Sequence, residues 1–152
     1  MKFTNNSTRT ELFIPGNVPS LKNSKIKTSR GVFASKTVKK YLQKQGIVKY
    51  SVRDKAVTNY KTRDNEFAKH EKFFIRNLQL GGPHQIGFHF VRGSKHKFDF
   101  HNAVQIIADL MVAHDFIEDD NMDYFIPKAY KKKDKWYSYD KTNPGVWIKI
   151  YK

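Results

Sequence analysis

Half of the acidic side chains in this sequence lie in one 25-residue segment. Residues 99–123 contain seven of the 14 Asp and Glu residues and no Lys or Arg, whereas the other 127 residues hold 29 basic and seven acidic side chains, a net charge of +22. The acids of this segment are Asp99, Asp109, Asp115, Glu118, Asp119, Asp120 and Asp123. Carboxylates about 4 Å apart repel each other by roughly 4 kcal/mol at an effective dielectric constant near 20, so a cluster of them requires a cation. The segment therefore predicts a divalent metal site.

The ligand types indicate which metal such a site would hold. Carboxylate oxygens with at most one imidazole suit Mg²⁺ or Mn²⁺, and the absence of Cys and of paired His disfavours structural zinc. A metal of this kind polarises a phosphodiester and activates water. The alternative is that the acids are scattered over the surface, where they offset nearby lysines.

A predicted helix over residues 102–114 positions these acids. Its apolar residues follow the spacing of one packed face, and a polar stripe of Asn102, Gln105 and Asp109 borders that face. Asp99 and His101 lie at the helix start, and a return of the chain after the helix would bring Asp119 and Asp120 back beside Asp99. The apolar residues are Ala103, Ile106, Ile107 and Leu110. His114 falls on the apolar face, which predicts a core histidine with its hydrogen bonds satisfied.

The remaining elements are short. Residues 85–91 alternate as a half-buried strand should, and residues 12–15, 122–126 and 146–150 predict three further strands. Ser35 begins a helix that stops at Gly46, and Asp64 or Asn65 begins another that ends before the Gly81–Pro83 turn, with His70 at the core edge. Basic loops are predicted at residues 20–30, 92–97 and 128–141.

Composition sets the class of protein. At 152 residues with 12 Phe and 8 Tyr, the chain has enough apolar area for one folded domain without disulfides. The elements above predict a single α+β domain, residues 1–152, in which helices pack on a mixed β-sheet. No signal-peptide pattern and no apolar run of about 18 residues is present, which predicts a soluble cytoplasmic protein.

The excess of basic residues predicts a polyanionic partner. Lysines interleaved with Tyr and Phe are typical of nucleic-acid binding, and no basic amphipathic segment suggests a membrane surface. The loop at residues 92–97 is placed to guide phosphates toward the acids, although a solvated hairpin would look the same. The candidate phosphate contacts are Lys22, Asn23, Lys25, Arg30, Arg92, Lys95, Lys97, Lys131, Lys132 and Lys133.

The run FDFHN…Q…D…EDD resembles the signature of the RusA family of Holliday-junction resolvases. Residues at matching positions are Asp99, Asn102, Asp109, Asp119 and Asp120. The N-terminal GNVPSLKNSK also resembles an early loop of that family, so the resemblance extends from Ile14 to the last predicted strand. Two positions depart from the family pattern: His101 stands in place of an acid and Gln105 in place of a lysine. His101 would bind hard cations more weakly, and Gln105 cannot place a positive charge beside the scissile phosphate.

The resemblance implies a metal-dependent endonuclease that nicks branched DNA, such as a four-way junction, by phosphodiester hydrolysis. It implies catalytic roles for Asp99, Asp119 and Asp120, with Asp99, His101 and Asp120 as ligands of Mg²⁺, or alternatively Mn²⁺. Asn102, Gln105 and Asp109 would support them. A twofold homodimer in a bacterial cell or phage-infected host is expected. The alternatives are a branched-DNA-binding protein without nuclease activity and a basic ribosome- or nucleoid-associated protein.

Overall fold

A computed structural model describes residues 10–20, 25–28, 31–34, 36–49, 56–58, 65–78 and 82–151; of Lys36 and of residues 25–28, 31–34, 47–49 and 56–58, it describes the backbone only. The strands are β1 (Glu11–Pro15), β2 (Lys25–Thr28), β3 (Gly31–Ala34), β4 (Ile47–Lys49), β5 (Ala56–Thr58), β6 (His84–Arg92), β7 (Phe125–Ala129), β8 (Ser138–Tyr139) and β9 (Gly145–Ile150). The helices are α1 (Lys36–Lys44), α2 (Glu66–Lys69), α3 (Glu71–Leu78) and α4 (Phe100–Ala113).

A five-stranded mixed sheet organises these elements. Its order is β1-β9-β6-β7, and β8 also pairs with β6 beyond the end of β7. β9 runs antiparallel to both β1 and β6, whereas β7 and β8 run parallel to β6. Since α4 connects β6 to the parallel strand β7, the helix crosses over the sheet as parallel pairing requires. The predicted α+β class with a mixed sheet is confirmed.

The central strand β6 is buried on both faces, so the prediction of a half-buried strand was wrong. Gly87 and His89 are buried together with the predicted core residues Ile86, Phe88 and Phe90. A Cβ added at Gly87 would lie 2.8 Å from Cδ1 of Tyr130 and 2.9 Å from Cε2 of Tyr151. The two tyrosines therefore cover the face that alternation assigned to solvent.

His89 is fully buried on this second face, yet both ring nitrogens have partners. Nδ1 donates to the backbone carbonyl of Tyr130 at 3.0 Å, so Nε2 is left to accept from the Ser138 hydroxyl at 2.6 Å. Burial lowers the pKa of His89. The neutral imidazole thus ties β8 and the segment after β7 to the centre of the sheet.

Helix α4 packs as its sequence predicts. The predicted apolar face, Ala103, Ile106, Ile107 and Leu110, is buried in the core. At the end of the helix, His114 Nε2 donates to the Gln45 carbonyl at 2.8 Å and its ring stacks on Phe67 and Phe116. Burial lowers the pKa of His114. His114 is half-buried, so it lies at the edge of the core, and its Nε2 has a hydrogen-bond partner as predicted.

Several other boundaries differ from prediction. The single helix expected after Asn65 is broken at His70 into α2 and α3, with Asn65 as N-cap and His70 half-buried at the core edge as predicted. β7 begins three residues later than expected because Asn121 accepts backbone hydrogen bonds from Tyr124 and Phe125 in a turn.

The prediction of a basic loop at residues 20–30 was also wrong in part. β2 lies within that range and pairs with β3, which follows it, as an antiparallel hairpin. Ser35, the predicted start of the first helix, lies outside the described residues, although α1 begins at the next residue. Gly46 follows the helix at φ 87°, a backbone conformation that favours glycine and supports its predicted role as the helix stop. None of the helices among the described residues has the length and apolar character needed to cross a membrane.

Candidate active site

The chain reverses direction immediately after α4. Asp115 adopts φ 61°, and the Phe116 amide donates to the Met111 carbonyl at 2.8 Å. Phe116 and Ile117 are then buried, which anchors the returning segment against the core. This anchoring brings Asp120 alongside the polar face of the helix.

Gln105 joins two carboxylates at the centre of the site. Its Nε2 donates to Asp109 Oδ1 at 3.0 Å and to Asp120 Oδ2 at 2.8 Å. Because one nitrogen contacts both oxygens, these oxygens lie within about 6 Å of each other. The return predicted from sequence therefore takes place, but it brings Asp120 to Gln105 and Asp109 in the middle of the helix.

Asp119 fixes the backbone that presents Asp120. Its Oδ1 accepts from the Asp120 amide at 2.8 Å, and its Oδ2 accepts from the Asn121 side chain at 3.1 Å. Asn121 Oδ1 in turn accepts from the Asp123 amide at 2.9 Å. Both carboxylate oxygens of Asp119 thus take part in holding the loop.

Asp99 and His101 occupy the start of the helix. Asp99 is the N-cap of α4, with Oδ1 accepting from the Asn102 amide at 3.2 Å, and Asn102 itself is half-buried. His101 is exposed, and its ring meets the edge of Phe100 with centroids 5.9 Å apart. In the part of the chain that the structure describes, no three His, Asp or Glu side chains are close enough to share a metal ion. The predicted set of Asp99, His101 and Asp120 is therefore not assembled here, and Asp120 pairs with Asp109 instead.

A cleft of about 440 Å³ opens beside Asp99. It is lined by Asn17, Pro19, Ser20, Thr37, Arg92, Ser94, His96, Lys97, Phe98 and Asp99. Arg92 is only 6% exposed; Nη1 donates to the Val18 carbonyl and the guanidinium lies 4.8 Å from the centroid of Phe98. Burial lowers the pKa of Arg92, but a guanidinium stays protonated in proteins. The cleft thus combines a fixed positive charge with the N-terminal end of α4.

The other candidate phosphate contacts are distributed unevenly. Lys22, Asn23 and Arg30 lie outside the described residues, and only the backbone of Lys25 is described, in β2. Lys95, Lys97, Lys131 and Lys133 are exposed, as a phosphate contact requires. Lys132 is half-buried, since its ammonium contacts both oxygens of Glu11 at 3.0 Å. The assignments stay predictions, and Lys132 already has a partner within the protein.

That Lys132 contact belongs to a cluster that sequence reasoning missed. The Tyr130 hydroxyl also donates to Glu11, at 2.6 Å, and the Lys132 ammonium lies 4.1 Å from the centroid of Trp147. Burial raises the pKa of Glu11, but hydrogen bonds from Tyr130 and Lys132 outweigh it and keep that pKa below its ordinary value. Glu11 and Tyr130 are 119 residues apart, so no local pattern could have paired them.

Comparisons with protein-family models, curated proteins and solved structures find no match to this chain. The chemistry is therefore inferred from the site itself. It comprises a carboxylate pair held by Gln105 and a cleft with a buried arginine at the start of the same helix.

Proposed function

We propose that this protein is a metal-dependent, structure-selective DNA endonuclease of the RusA type, which nicks branched DNA by phosphodiester hydrolysis. The observation that carries the proposal is the return of Asp120 onto α4, where Gln105 holds it beside Asp109. This geometry places two acids together in a chain whose remaining residues are strongly basic. A nuclease needs both properties, because the acids bind the metal and the bases bind the DNA.

The carboxylate pair fits Mg²⁺ by its donor chemistry. Magnesium prefers oxygen donors and is commonly bound by one or two carboxylates, with waters and substrate phosphates completing its coordination. Asp109 and Asp120 would hold it, and Mn²⁺ would be accepted by the same donors. When bound, the metal supplies Lewis acidity to the phosphodiester and to water.

The protein's own residues orient the reacting groups. Gln105 aligns the two carboxylates, and Asp119 fixes the backbone of Asp120. Asp99 holds the start of α4, where its N-cap bond sets the direction of the helix. The buried Arg92, held by the Val18 carbonyl, would contribute positive charge to the cleft, and the exposed Lys97 would position a phosphate there without reading sequence.

The substrate follows from charge and from the resemblance. A net charge of +22 outside residues 99–123 suits a ligand with many phosphates converging on one surface, as in a four-way junction. A homodimer would supply two sites related by twofold symmetry, which matches the symmetry of such a junction.

A second candidate is a branched-DNA-binding protein that does not cut. Gln105 favours it, because a neutral amide already hydrogen-bonds Asp109 and Asp120 where the RusA pattern has a lysine. In that protein the acids would be structural, and junction affinity would be retained without hydrolysis.

Incubation with a synthetic four-way junction and a matched linear duplex tests the proposal, with Mg²⁺, Mn²⁺ or EDTA. We expect metal-dependent nicks in the junction only, and loss of cleavage with retained binding in Asp120→Asn and Asp109→Asn. Asp115→Asn is the matched control, because it removes one exposed acid from the same segment and Asn tolerates φ 61°. Junction binding without cleavage in any metal would establish the second candidate.

A further inference from the structure

Three aromatic side chains project into solvent between β7 and β9. Trp136 is 58% exposed, Tyr137 53% and Tyr139 46%, and they are three of the five large hydrophobic residues that are exposed in the described part of the chain. We refer to Trp136, Tyr137 and Tyr139 as the aromatic platform. Burying such rings is favourable, so three exposed ones within four consecutive residues of a folded scaffold indicate a binding surface.

The aromatic platform is attached to the rigid centre of the sheet. Tyr139 is in register with Arg92 and Ser138 with Val91, through the pairing of β8 with β6. Ser138 also donates to the buried His89. The ring of Tyr137 meets the edge of Phe98 with centroids 5.0 Å apart. Strand pairing therefore holds the backbone of Tyr139, and the Phe98 contact holds the ring of Tyr137 against the domain.

The contact between Tyr137 and Phe98 places one ring of the aromatic platform beside the cleft at the start of α4. Phe98 lines the cleft and directly precedes Asp99, the N-cap of α4. Arg92 packs on Phe98 from within the cleft. Only the side chain of Phe98 therefore lies between Tyr137 and the cleft, so a ligand stacked on Tyr137 could extend into the cleft.

Lysine side chains lie over two rings of the aromatic platform, so its ligand is expected to be negatively charged. The ammonium of Lys131 lies 5.0 Å from the centroid of Trp136, and that of Lys95 lies 5.3 Å from the centroid of Tyr139. Lys133 and Lys135 are also exposed nearby. Exposed cation–π contacts are weak, so these lysines can turn to phosphates while the rings become free for stacking.

Flat rings with lysine ammonium groups beside them suit unpaired nucleotides as a ligand better than they suit an apolar partner. Bases stack on aromatic rings while phosphates reach the lysines, and every base has a face to offer. A protein partner would have to desolvate several lysines, which are depleted from interface cores. A membrane would need contiguous apolar side chains, whereas here lysine ammonium groups lie over the rings of Trp136 and Tyr139.

We propose that the aromatic platform binds unpaired nucleotides of the substrate by stacking, and so holds the open bases at a branch point next to Asp99. The inference rests on the proposed function, since it names the part of branched DNA that this protein recognises. It gives structure selectivity a physical basis: paired bases are stacked inside a duplex and cannot reach Trp136, Tyr137 or Tyr139.

Tryptophan fluorescence tests the proposal directly, because the chain has two tryptophans and Trp147→Phe leaves Trp136 as the only one. This variant is titrated with a single-stranded oligonucleotide of about 10 nucleotides, within the usual site size of single-strand binders. A backbone of the same length and charge without bases is the matched ligand. We expect strong quenching and tighter binding with the oligonucleotide only.

Substitution then separates stacking from charge. Trp136→Ala should weaken oligonucleotide binding at least about fivefold and leave its salt dependence unchanged, because no phosphate contact is lost. Met122→Ala, which removes another exposed apolar side chain, should bind normally. Equal binding and quenching by the baseless backbone, or no binding of either ligand, would overturn the proposal. Quenching by anionic vesicles but not by the oligonucleotide would also overturn it and identify a membrane surface.

The two proposals fail in different assays. Base-dependent quenching without metal-dependent cleavage of a four-way junction would support the aromatic platform and refute the nuclease. Cleavage with equal affinity for both single-stranded ligands would support the nuclease and refute stacking.

Discussion

Gln105 connects two acids, and removing its amide tests whether those acids form a metal site. In Gln105→Ala, Asp109 and Asp120 lose the donor that lies 3.0 and 2.8 Å from their oxygens. Two hydrogen bonds at a partly exposed site contribute about 1 kcal/mol in total. At the upper limit of about 6 Å, the remaining repulsion between the carboxylates is about 0.7 kcal/mol in water and about 2.8 kcal/mol at a dielectric constant of 20. Solvent exposure places it near the lower value.

We therefore expect Gln105→Ala to lower the free energy of unfolding in EDTA by about 1 kcal/mol, a fall of about 2–4 °C in Tm for a chain of this size. Mg²⁺ should reverse the loss, because a cation replaces the amide between the acids. At ten times its dissociation constant, a bound metal stabilises the folded state by about 1.4 kcal/mol. Asp120→Asn should gain much less from Mg²⁺ than the parent protein.

Thermal unfolding of the parent protein, Gln105→Ala, Asp120→Asn and the control Asp115→Asn is compared in EDTA and across a Mg²⁺ titration. The reasoning is refuted if Asp120→Asn gains as much stability from Mg²⁺ as the parent protein. It is refuted equally if Gln105→Ala is no less stable than the parent in EDTA, since the amide would then not be joining the acids.

Three further predictions concern the fold and the DNA. Burial lowers the folded-state pKa of His89 and His114, whereas the unfolded value is near 6.5. Their contribution to stability is therefore complete above about pH 6.5 and decreases as pH falls below it. Urea unfolding should show a lower midpoint at pH 5.5 than at pH 7.5, and an unchanged midpoint would contradict this. Gly87→Ala should destabilise the protein by about 1–3 kcal/mol, because the added methyl group meets Tyr130 and Tyr151. Calorimetry should show a lower Tm; an unchanged Tm would mean that those rings move aside. Junction affinity should fall steeply between roughly 50 and 200 mM salt, by about 0.9 in the log–log slope per phosphate contacted, and a flat response would exclude electrostatic binding.

The periodicity of apolar residues correctly predicted the elements that bury only one face. α4 and β9 follow their sequence patterns closely, because each packs one apolar face against the core. β6 did not, since its second face is covered by Tyr130 and Tyr151 from distant parts of the chain. The break between α2 and α3 at His70 also had no counterpart in the apolar spacing, which continues through it.

The sequence indicated which residues belong to the candidate site, but not which of them contact each other. The acidic segment and a return of the chain toward Asp99 were predicted from residues 99–123, and the buried pair Phe116–Ile117 anchors a return that reaches Gln105 instead. Gln105 was expected only to support the acids, whereas it contacts Asp109 and Asp120 directly. Asp99 serves as the N-cap of α4, a role that a short acidic side chain before an apolar helix commonly takes.

Two of the outer strands of the five-stranded sheet carry features that disfavour pairing with a second copy of this protein. In the described part of the chain, β1 and β7 lie at the ends of the strand order, and each contains a proline, Pro15 and Pro127. Proline has no N–H to offer an incoming strand, and the exposed Lys128 next to Pro127 adds a charge that disfavours edge-to-edge pairing. The sheet is thereby protected from the open-ended strand addition that leads to aggregation. The proposed dimer would therefore be favoured through side chains of helices or loops over strand pairing at β1 or β7.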